Sequence, residues 1–348
     1  MSREATIQRI KSLEPIPNAD AIELATLEGM LWTFVVKKGD FQAGDRCVYF
    51  QIDSLLPKKE WSEFMEDFGY RVKSRRFRGA LSQGLALPLS IVYQETGVEL
   101  DPDWLSDPDW LPDFLVGRDV TELLSVKHFE KPIPFDRKDQ MEEVNPGYFP
   151  KTDEDMIQSL PVLWEEEIKD GQEVYITTKY DGTSMTVSLK DGKFSVCGRQ
   201  WAFIERVGNP YWDLVSSYGL REVLASEGKN LAIQGELCGP GIQKNKMGLE
   251  AKDVFVFDIY DIDKDEYFNY YQLTDFCSRH RLKMVPIEFV GPKDPSWDLL
   301  EMAKGNYKSG RRKEGIVVRP TEYQFSRTIG RRLSFKVLNN KFLLKDED

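Results

Sequence analysis

Short alternating runs of apolar and polar residues dominate the first fifty positions. Ala5 to Ile10 alternates weakly, Ala21 to Leu27 follows the turn residues Pro17-Asn18-Ala19-Asp20, and Trp32 to Val36 is aromatic and β-branched. The third run stops at Lys37-Lys38-Gly39-Asp40, and Arg46 to Ile52 opens after Gly44-Asp45. Strands at this spacing, separated by turn chemistry, predict a small barrel or sandwich. From about Lys151 the pattern becomes mixed. Val174 to Thr178, Ser184 to Leu189, Leu231 to Leu237, Val254 to Tyr260, Gly315 to Arg319 and Leu333 to Val337 read as strands. Asp191-Gly192 is a type I′ hairpin signal, so Lys193 to Cys197 should return antiparallel. Tyr211 to Glu227, Tyr270 to Arg281 and Ser296 to Lys304 read as helices.

Between the halves, Asp-Pro-Asp-Trp-Leu occurs twice, at Asp101–Leu105 and Asp107–Leu111. Proline and acid at that density cannot build a strand ladder, which predicts a surface excursion. Residues 131–150 carry four prolines and many charges and read as a linker. The expected division is a β module over 1–130, a linker over 131–150 and a mixed domain over 151–348.

Composition narrows the function classes. With 41% apolar and 30% charged residues, the chain is a core-forming one rather than a disordered one. No window approaches the ~18 uninterrupted apolar residues of a membrane span, and Met1 to Arg9 lacks the apolar stretch of a secretory signal. Cys47, Cys197, Cys238 and Cys277 are far apart and form no CxxC pair, so reduced thiols in a cytoplasmic protein are expected. The two histidines, His128 and His280, disfavour Ser-His-Asp hydrolysis and His-rich metal sites. A net charge of −11 argues against bulk binding to a polyanion. Local cations nevertheless cluster at Arg71 to Arg78, Lys308 to Lys313 and Arg327 to Arg332. One such run alone would read as a solvated loop; three of them point to phosphate contacts.

Lys179-Tyr180-Asp181-Gly182 carries the chemistry. It sets a lysine at the end of a predicted strand, before a turn-forming Asp-Gly. A neutral amine attacks an α-phosphate well, and neutrality requires a pKa lowered by burial or by neighbouring cations and metal. Alone, the tetrapeptide also fits a surface lysine before a turn. Its companions settle the matter, because the chain here resembles the covalent nucleotidyltransferases: DNA ligases, RNA ligases and mRNA capping enzymes. Lys179–Gly182 resembles their nucleophile motif. Cys197-Gly198-Arg199 resembles the motif contacting ribose or the substrate end. Gln234-Gly235-Glu236-Leu237 resembles the strand whose glutamate serves ribose and metal. Phe255 to Tyr260 resembles the motif whose aromatic, here Phe257, stacks on the purine. Glu314 to Arg319 and Ser334 to Val337 resemble the last two motifs, with Val317 over the other face of the base. This resemblance spans most of Lys151 to Leu344.

Elementary chemistry agrees with those roles. Glu236 and Glu314 are acids in otherwise apolar strands, costly unless each meets a metal, a cation or a hydroxyl. Lys336 can stabilise charge building on the α-phosphate. The resemblance makes Lys179 and Lys336 catalytic, and Glu236 and Glu314 metal ligands. Lys179, Arg199, Glu236, Phe257, Glu314, Val317 and Lys336 together would hold the nucleotide.

The N-terminal half narrows the family. Pro17 to Asp20, Lys37 to Phe41, Gly44-Asp45, Ile52 to Ser54 and Arg78 to Leu85 resemble the OB module of the fifth RNA-ligase family, in which it precedes the catalytic domain. In DNA ligases and capping enzymes an OB domain follows the last motif instead, and only a dozen residues follow Lys336 here. The implied fold is α+β: an N-terminal OB-fold β-barrel, then a nucleotidyltransferase (ATP-grasp-like ligase) domain with antiparallel sheets and helices. The implied activity is ATP-dependent RNA ligation with Mg²⁺ or Mn²⁺, through lysyl-AMP and RNA-adenylate, on RNA with 3′-OH and 5′-phosphate ends. A nicked duplex is one such substrate, and RNA repair is the setting that the family suggests. A membrane or an obligate protein partner is not implied. A DNA ligase, a capping-type enzyme or an inactive nucleic-acid-binding relative are the alternatives. Arg75, Arg76 and Arg78 are candidate RNA contacts. Two positions depart from the family: Met156 stands where an arginine for the outer phosphates is usual, and Leu338 where a second lysine is usual. Lys341 or Arg319 is the candidate replacement.

Overall fold

A computed structural model describes residues 3–97, 115–129, 141–144 and 147–343. The chain divides into two compact units, Met1–Pro132 and Ile133–Lys345. The Asp-Pro-Asp-Trp-Leu pair lies outside the described residues.

In the first unit, the strands Thr33–Lys37, Ile22–Leu27, Ala5–Pro15, Arg46–Phe50 and Leu85–Pro88 form an antiparallel sheet in that order. The long Ala5–Pro15 strand serves two neighbours, Arg46–Phe50 through Ala5 to Arg9 and Ile22–Leu27 through Ile10 to Pro15. An irregularity between Ile10 and Ser12 marks the change of partner. One strand that bends between two partners lets the sheet curl into an OB-type barrel. Trp32, Phe34, Tyr49 and Phe50 are almost fully buried, each stabilising by about 1.5–3 kcal/mol through burial. A separate ribbon pairs Arg75–Phe77 with Ala80–Ser82 around Arg78 and Gly79, both at positive φ.

Two antiparallel-dominated sheets make the second unit. The larger runs Met141–Val144, Trp201–Phe203, Lys193–Cys197, Thr183–Lys190, Leu231–Cys238, Asp253–Asp261 and Glu266–Tyr267. The smaller runs Asp155–Met156, Phe335–Leu338, Gly315–Pro320, Glu173–Lys179 and Ile287–Pro292. Asp191 and Gly192 both take positive φ, the geometry of the expected type I′ turn. Part of the expected linker is built into this unit: Met141–Val144 pairs with Trp201–Phe203, and buried Phe149 packs with Cys197, Ala232 and Tyr260.

Helices differ from expectation in two places. The single helix expected over Tyr211 to Glu227 is two, Pro210–Tyr218 and Leu220–Ser226, parted by Gly219 at φ 59°. Asn209 caps the first by accepting the Tyr211 N–H, and the left-handed glycine ends it. Of Ser296 to Lys304 only Leu299–Met302 is helical, started by Asp298. No helix among the described residues is long and apolar enough to cross a membrane. All four cysteines are buried free thiols.

Candidate active site

Strand alternation sorts the smaller sheet into two faces. Val174, Ile176, Ile316, Val318, Phe335 and Val337 enter a hydrophobic core. Their neighbours Thr177, Lys179, Val317, Arg319 and Lys336 therefore share the opposite face. Register places Thr177 across from Val317 and Val317 across from Lys336, with Lys179 across from Gly315. The larger sheet sorts likewise. Met185, Val187, Ile233, Leu237, Val254 and Val256 enter the other core, leaving Ser184, Gln234, Glu236, Phe255 and Phe257 on the far face. A bulge at Phe257 separates the pairs Gln234–Asp258 and Gly235–Val256, so Phe257 and Asp258 leave the strand on the same side.

The two faces meet. Asp258 of the larger sheet accepts from Arg319 of the smaller at 3.3 Å and from both Nη atoms of Arg332 at 2.7 Å. Arg319 also donates to Glu154 at 2.9 Å. Next to this network lies a cavity of about 210 Å³, whose lining includes Thr152, Asp153, Gln234, Asp258 and Arg332. None of the sequence-predicted site residues lines it; Glu236 and Phe257 are chain neighbours of its wall.

Lys179 ends its strand with Nζ 3.0 Å from Glu314 Oε2. The chain then turns through Asp181 to Gly182, whose N–H donates to Glu236 Oε1 at 3.0 Å. A Cβ at Gly182 would stand 2.5 Å from the Leu237 carbonyl oxygen and 2.7 Å from Cys238 Sγ, which explains glycine in this motif. At Gly315 a Cβ would meet the Val337 carbonyl oxygen at 2.0 Å. Both glycines let the strands that carry Lys179, Glu236 and Glu314 close on one another.

Electrostatics follow from this crowding. Burial pushes the Glu236 carboxyl up to about 8; Glu314 and Asp181 add to the rise, while Lys179 and the Gly182 N–H oppose it. Burial alone would lower the Lys179 ammonium, but Glu314, Glu236 and Asp181 outweigh it and hold the group above its ordinary range. In the free protein the neighbours of Lys179 are thus acids, so burial does not by itself supply the neutral amine that attack requires. Lys336 is lowered, by burial first and then by the Lys179 charge.

The remaining expected residues are placed as follows. Arg199 is exposed and pairs with Asp153 at 3.0 Å. Val317 is buried and Phe257 half-buried, on the facing sheets. Met156 pairs in register with Lys336. Leu338 is buried, its carbonyl accepting from Gln158 at 2.8 Å. Arg319, a candidate replacement for the second lysine, pairs through Nη2 with Glu154 and Asp258. In the other unit, Arg75 stacks over Phe68 at 4.1 Å, and Arg76 and Arg78 are exposed on the ribbon.

Sequence reasoning missed Tyr307. Its hydroxyl donates to the Lys179 carbonyl at 2.8 Å and accepts the Glu314 N–H at 3.0 Å. Tyr180 meets both Phe255 and Tyr307 edge-on, so an aromatic cluster backs the nucleophile. No spacing signal marks Tyr307, seven residues before Glu314 in a polar loop.

Comparison with known proteins gives the family. Residues 172–338 match the RNA ligase family and residues 4–89 an OB-fold domain. No curated protein matches the sequence. Among solved structures, a Naegleria gruberi RNA ligase with PPi is 33% identical, with all of both chains covered and a TM-score of 0.81. An apo mutant of the Naegleria gruberi RNA ligase gives 33% identity and a TM-score of 0.82, over 99% of this chain and 98% of that one. A further mutant, solved with ATP and Mn, gives 33% and 0.80 over 98% of each chain. A chain with this site, these two domains and this identity over its whole length belongs to the RNA ligase family.

Proposed function

We propose that the chain is an ATP-dependent RNA ligase whose nucleophile is Lys179. The observation that carries this reading is the Lys179–Glu314 contact, made on a face shared with Lys336 and opposite Glu236 and Phe257. Lys179 Nζ attacks the α-phosphorus of ATP; a P–N bond forms, the bond to the bridging oxygen breaks and pyrophosphate leaves. AMP then passes from Lys179 to an RNA 5′-phosphate. An RNA 3′-OH attacks that activated phosphorus, closing the phosphodiester and releasing AMP. Lys336 faces the phosphates and offsets charge that develops on them. Phe257 and Val317 offer the two walls between which a base can lie. Arg199 is placed to reach the ribose or the RNA end.

Glu236 and Glu314 fit a divalent cation. Their oxygens lie beside Lys179, and burial together with the Glu314 charge pushes the Glu236 carboxyl up to about 8, so that a cation bound there would hold both carboxylates ionised. Mg²⁺ or Mn²⁺ suits such oxygen donors, with substrate phosphates completing its shell. When bound, the ion neutralises phosphate charge. Loss of the Glu314 contact frees the Lys179 amine to lose its proton. The buried free thiols support a reducing, cytoplasmic setting, and a nicked duplex is the substrate that presents both ends together.

Labelled ATP and a denaturing gel test this reading. Wild type should carry label in the presence of Mn²⁺ and lose it to 5′-phosphorylated RNA. Lys179→Arg keeps a cation beside Glu314 but stays protonated and should carry none. A labelled Lys179→Arg protein would remove Lys179 as nucleophile.

A further inference from the structure

Of the three basic clusters, the structure leaves different amounts of charge uncommitted. Arg331 is paired with Asp155, Arg332 with Asp258 and Lys313 with Glu288. Lys308 and Arg311 are exposed, as is Lys244 on a neighbouring loop. Among the described residues no carboxylate lies within ion-pair distance of these three. In a protein of net charge −11, such a group is conspicuous.

The two loops are bound together. Ser309 Oγ donates to the Lys246 carbonyl at 2.5 Å, and Arg311 Nη1 to the Lys244 carbonyl at 3.3 Å. Residues 305–313 close on themselves through Tyr307 N–H to Arg311 O at 2.8 Å and Lys313 N–H to Gly305 O at 3.0 Å. The root of this loop is Tyr307, bonded to Lys179, and the next residue after the loop is Glu314. Lys308 and Arg311 therefore stand on a loop that is bonded to the backbone of the nucleophile through Tyr307, with Lys244 on the loop bound to it.

The partner loop is strained. Gln243, Lys244 and Asn245 take φ of 45°, 65° and 47° in succession. Non-glycine residues are disfavoured there, and such strain collects at ligand clamps. Asn245 holds the loop by bonding Leu249 through both side-chain atoms, at 2.8 Å and 3.1 Å. This set of bonds keeps the Lys244 backbone in a conformation its side chain disfavours.

We propose that these stitched loops form a phosphate-contacting lip for the RNA strand being joined, with Lys244, Lys308 and Arg311 as its cations. The proposal rests on the RNA-ligase reading above and deepens it. Phosphates flanking a joined end must pass close to Lys179, and uncompensated cations bind them by releasing counterions. Lys308 at the loop tip and Lys244 on the strained turn then set where the strand lies.

The test compares wild type with Lys244→Ala/Lys308→Ala/Arg311→Ala and with Lys308→Glu alone. RNA affinity is read by fluorescence anisotropy on a nicked RNA duplex across a KCl series, beside lysyl-AMP yield and sealing. The triple variant should bind about tenfold or more weakly, with a salt slope smaller by roughly two to three units. Its lysyl-AMP yield should match wild type. Lys308→Glu should weaken binding with an unchanged melting temperature. Equal affinity and slope in all three proteins would overturn the lip alone. Equal loss of lysyl-AMP and sealing in Lys308→Glu would also overturn it, since the loop would then serve the nucleotide site. A wild type that forms lysyl-AMP but transfers it to no RNA would overturn the RNA reading and the lip with it.

Discussion

The Tyr307 hydroxyl lies 2.8 Å from the Lys179 carbonyl oxygen and 3.0 Å from the Glu314 nitrogen, so one side chain ties the backbones of both partners of the central ion pair. Burial raises the phenol, helped by the Glu314 charge, which keeps it a donor at neutral pH. Tyr307→Phe leaves a carbonyl and an N–H without this partner, at about 1–3 kcal/mol for each group that stays dry. Small misplacement of a nucleophile costs up to about a hundredfold in rate. Single-turnover formation of lysyl-AMP should therefore fall about ten- to a hundredfold, with little change in the ATP concentration for half-saturation. An unchanged rate would make Tyr307 an ordinary core residue.

Glu236 gives a pH signature in the metal-free protein. Its carboxyl is held at about 8 in the fold against an ordinary value of 4.5. Between those values the folded state binds the extra proton, so stability falls as pH rises through this window, by at most about 1.4 kcal/mol per pH unit. Glu236→Gln removes the titration and still offers an oxygen to the Gly182 N–H. In EDTA, the melting temperature of Glu236→Gln relative to wild type should rise steadily from pH 5 to pH 8. A constant difference across that range would contradict the assignment. With Mn²⁺ and ATP present, the same variant should lose lysyl-AMP formation.

Local pattern carried much of this architecture, and the reason differs by residue. Glu236 and Glu314 stood out because an acid inside an apolar strand needs a partner, and each has one. Lys179 stood out through the Asp-Gly turn, whose glycine the Leu237 carbonyl forces. Tyr307 was invisible because its role depends on a backbone contact across 128 positions of chain. The raised pKa of Lys179 was not legible for the same reason: it depends on Glu314 and Glu236 converging on it from distant segments. Arg319 was readable as a candidate replacement for the second lysine, but its pairing with Glu154 and Asp258 joins distant segments and was not. The helix break at Gly219 went unread in the sequence, because a single glycine inside a helical pattern ends the helix only when it takes the left-handed conformation.

Asp258 pins the two catalytic sheets through Arg319 and Arg332. Burial would raise its carboxyl, but the two guanidinium groups outweigh that and hold it below its ordinary 3.8. A depressed carboxylate stabilises above the unfolded value, and the contribution is lost as pH falls through the folded one. Asp258→Asn leaves buried Arg319 and Arg332 short of a counter-charge, at a cost of about 3–5 kcal/mol. Urea unfolding at pH 7 should show that deficit, and it should shrink as the pH falls from the ordinary 3.8 towards the lower value of the folded protein. A loss below about 1 kcal/mol at pH 7 would mean that Glu154 alone satisfies Arg319.

The arginine ribbon of the N-terminal unit has its own expected outcome. Arg78 and Gly79 form its turn, Arg76 is exposed beside them, and Arg75 is held over Phe68 at 4.1 Å. A guanidinium held over a ring can still bond phosphate through its N–H donors. Arg76→Ala/Arg78→Ala should weaken RNA binding and reduce its salt slope by roughly one to two units. Lysyl-AMP formation should be unchanged, because every residue proposed to touch ATP lies beyond residue 150. Arg75→Lys separates stacking from charge: it keeps the cation but loses the planar contact with Phe68. If phosphate binding depends on that held plane, Arg75→Lys should bind RNA nearly as weakly as Arg75→Ala. Full affinity in Arg75→Lys would show that charge alone acts there, and full affinity in Arg75→Ala would remove it from the RNA surface.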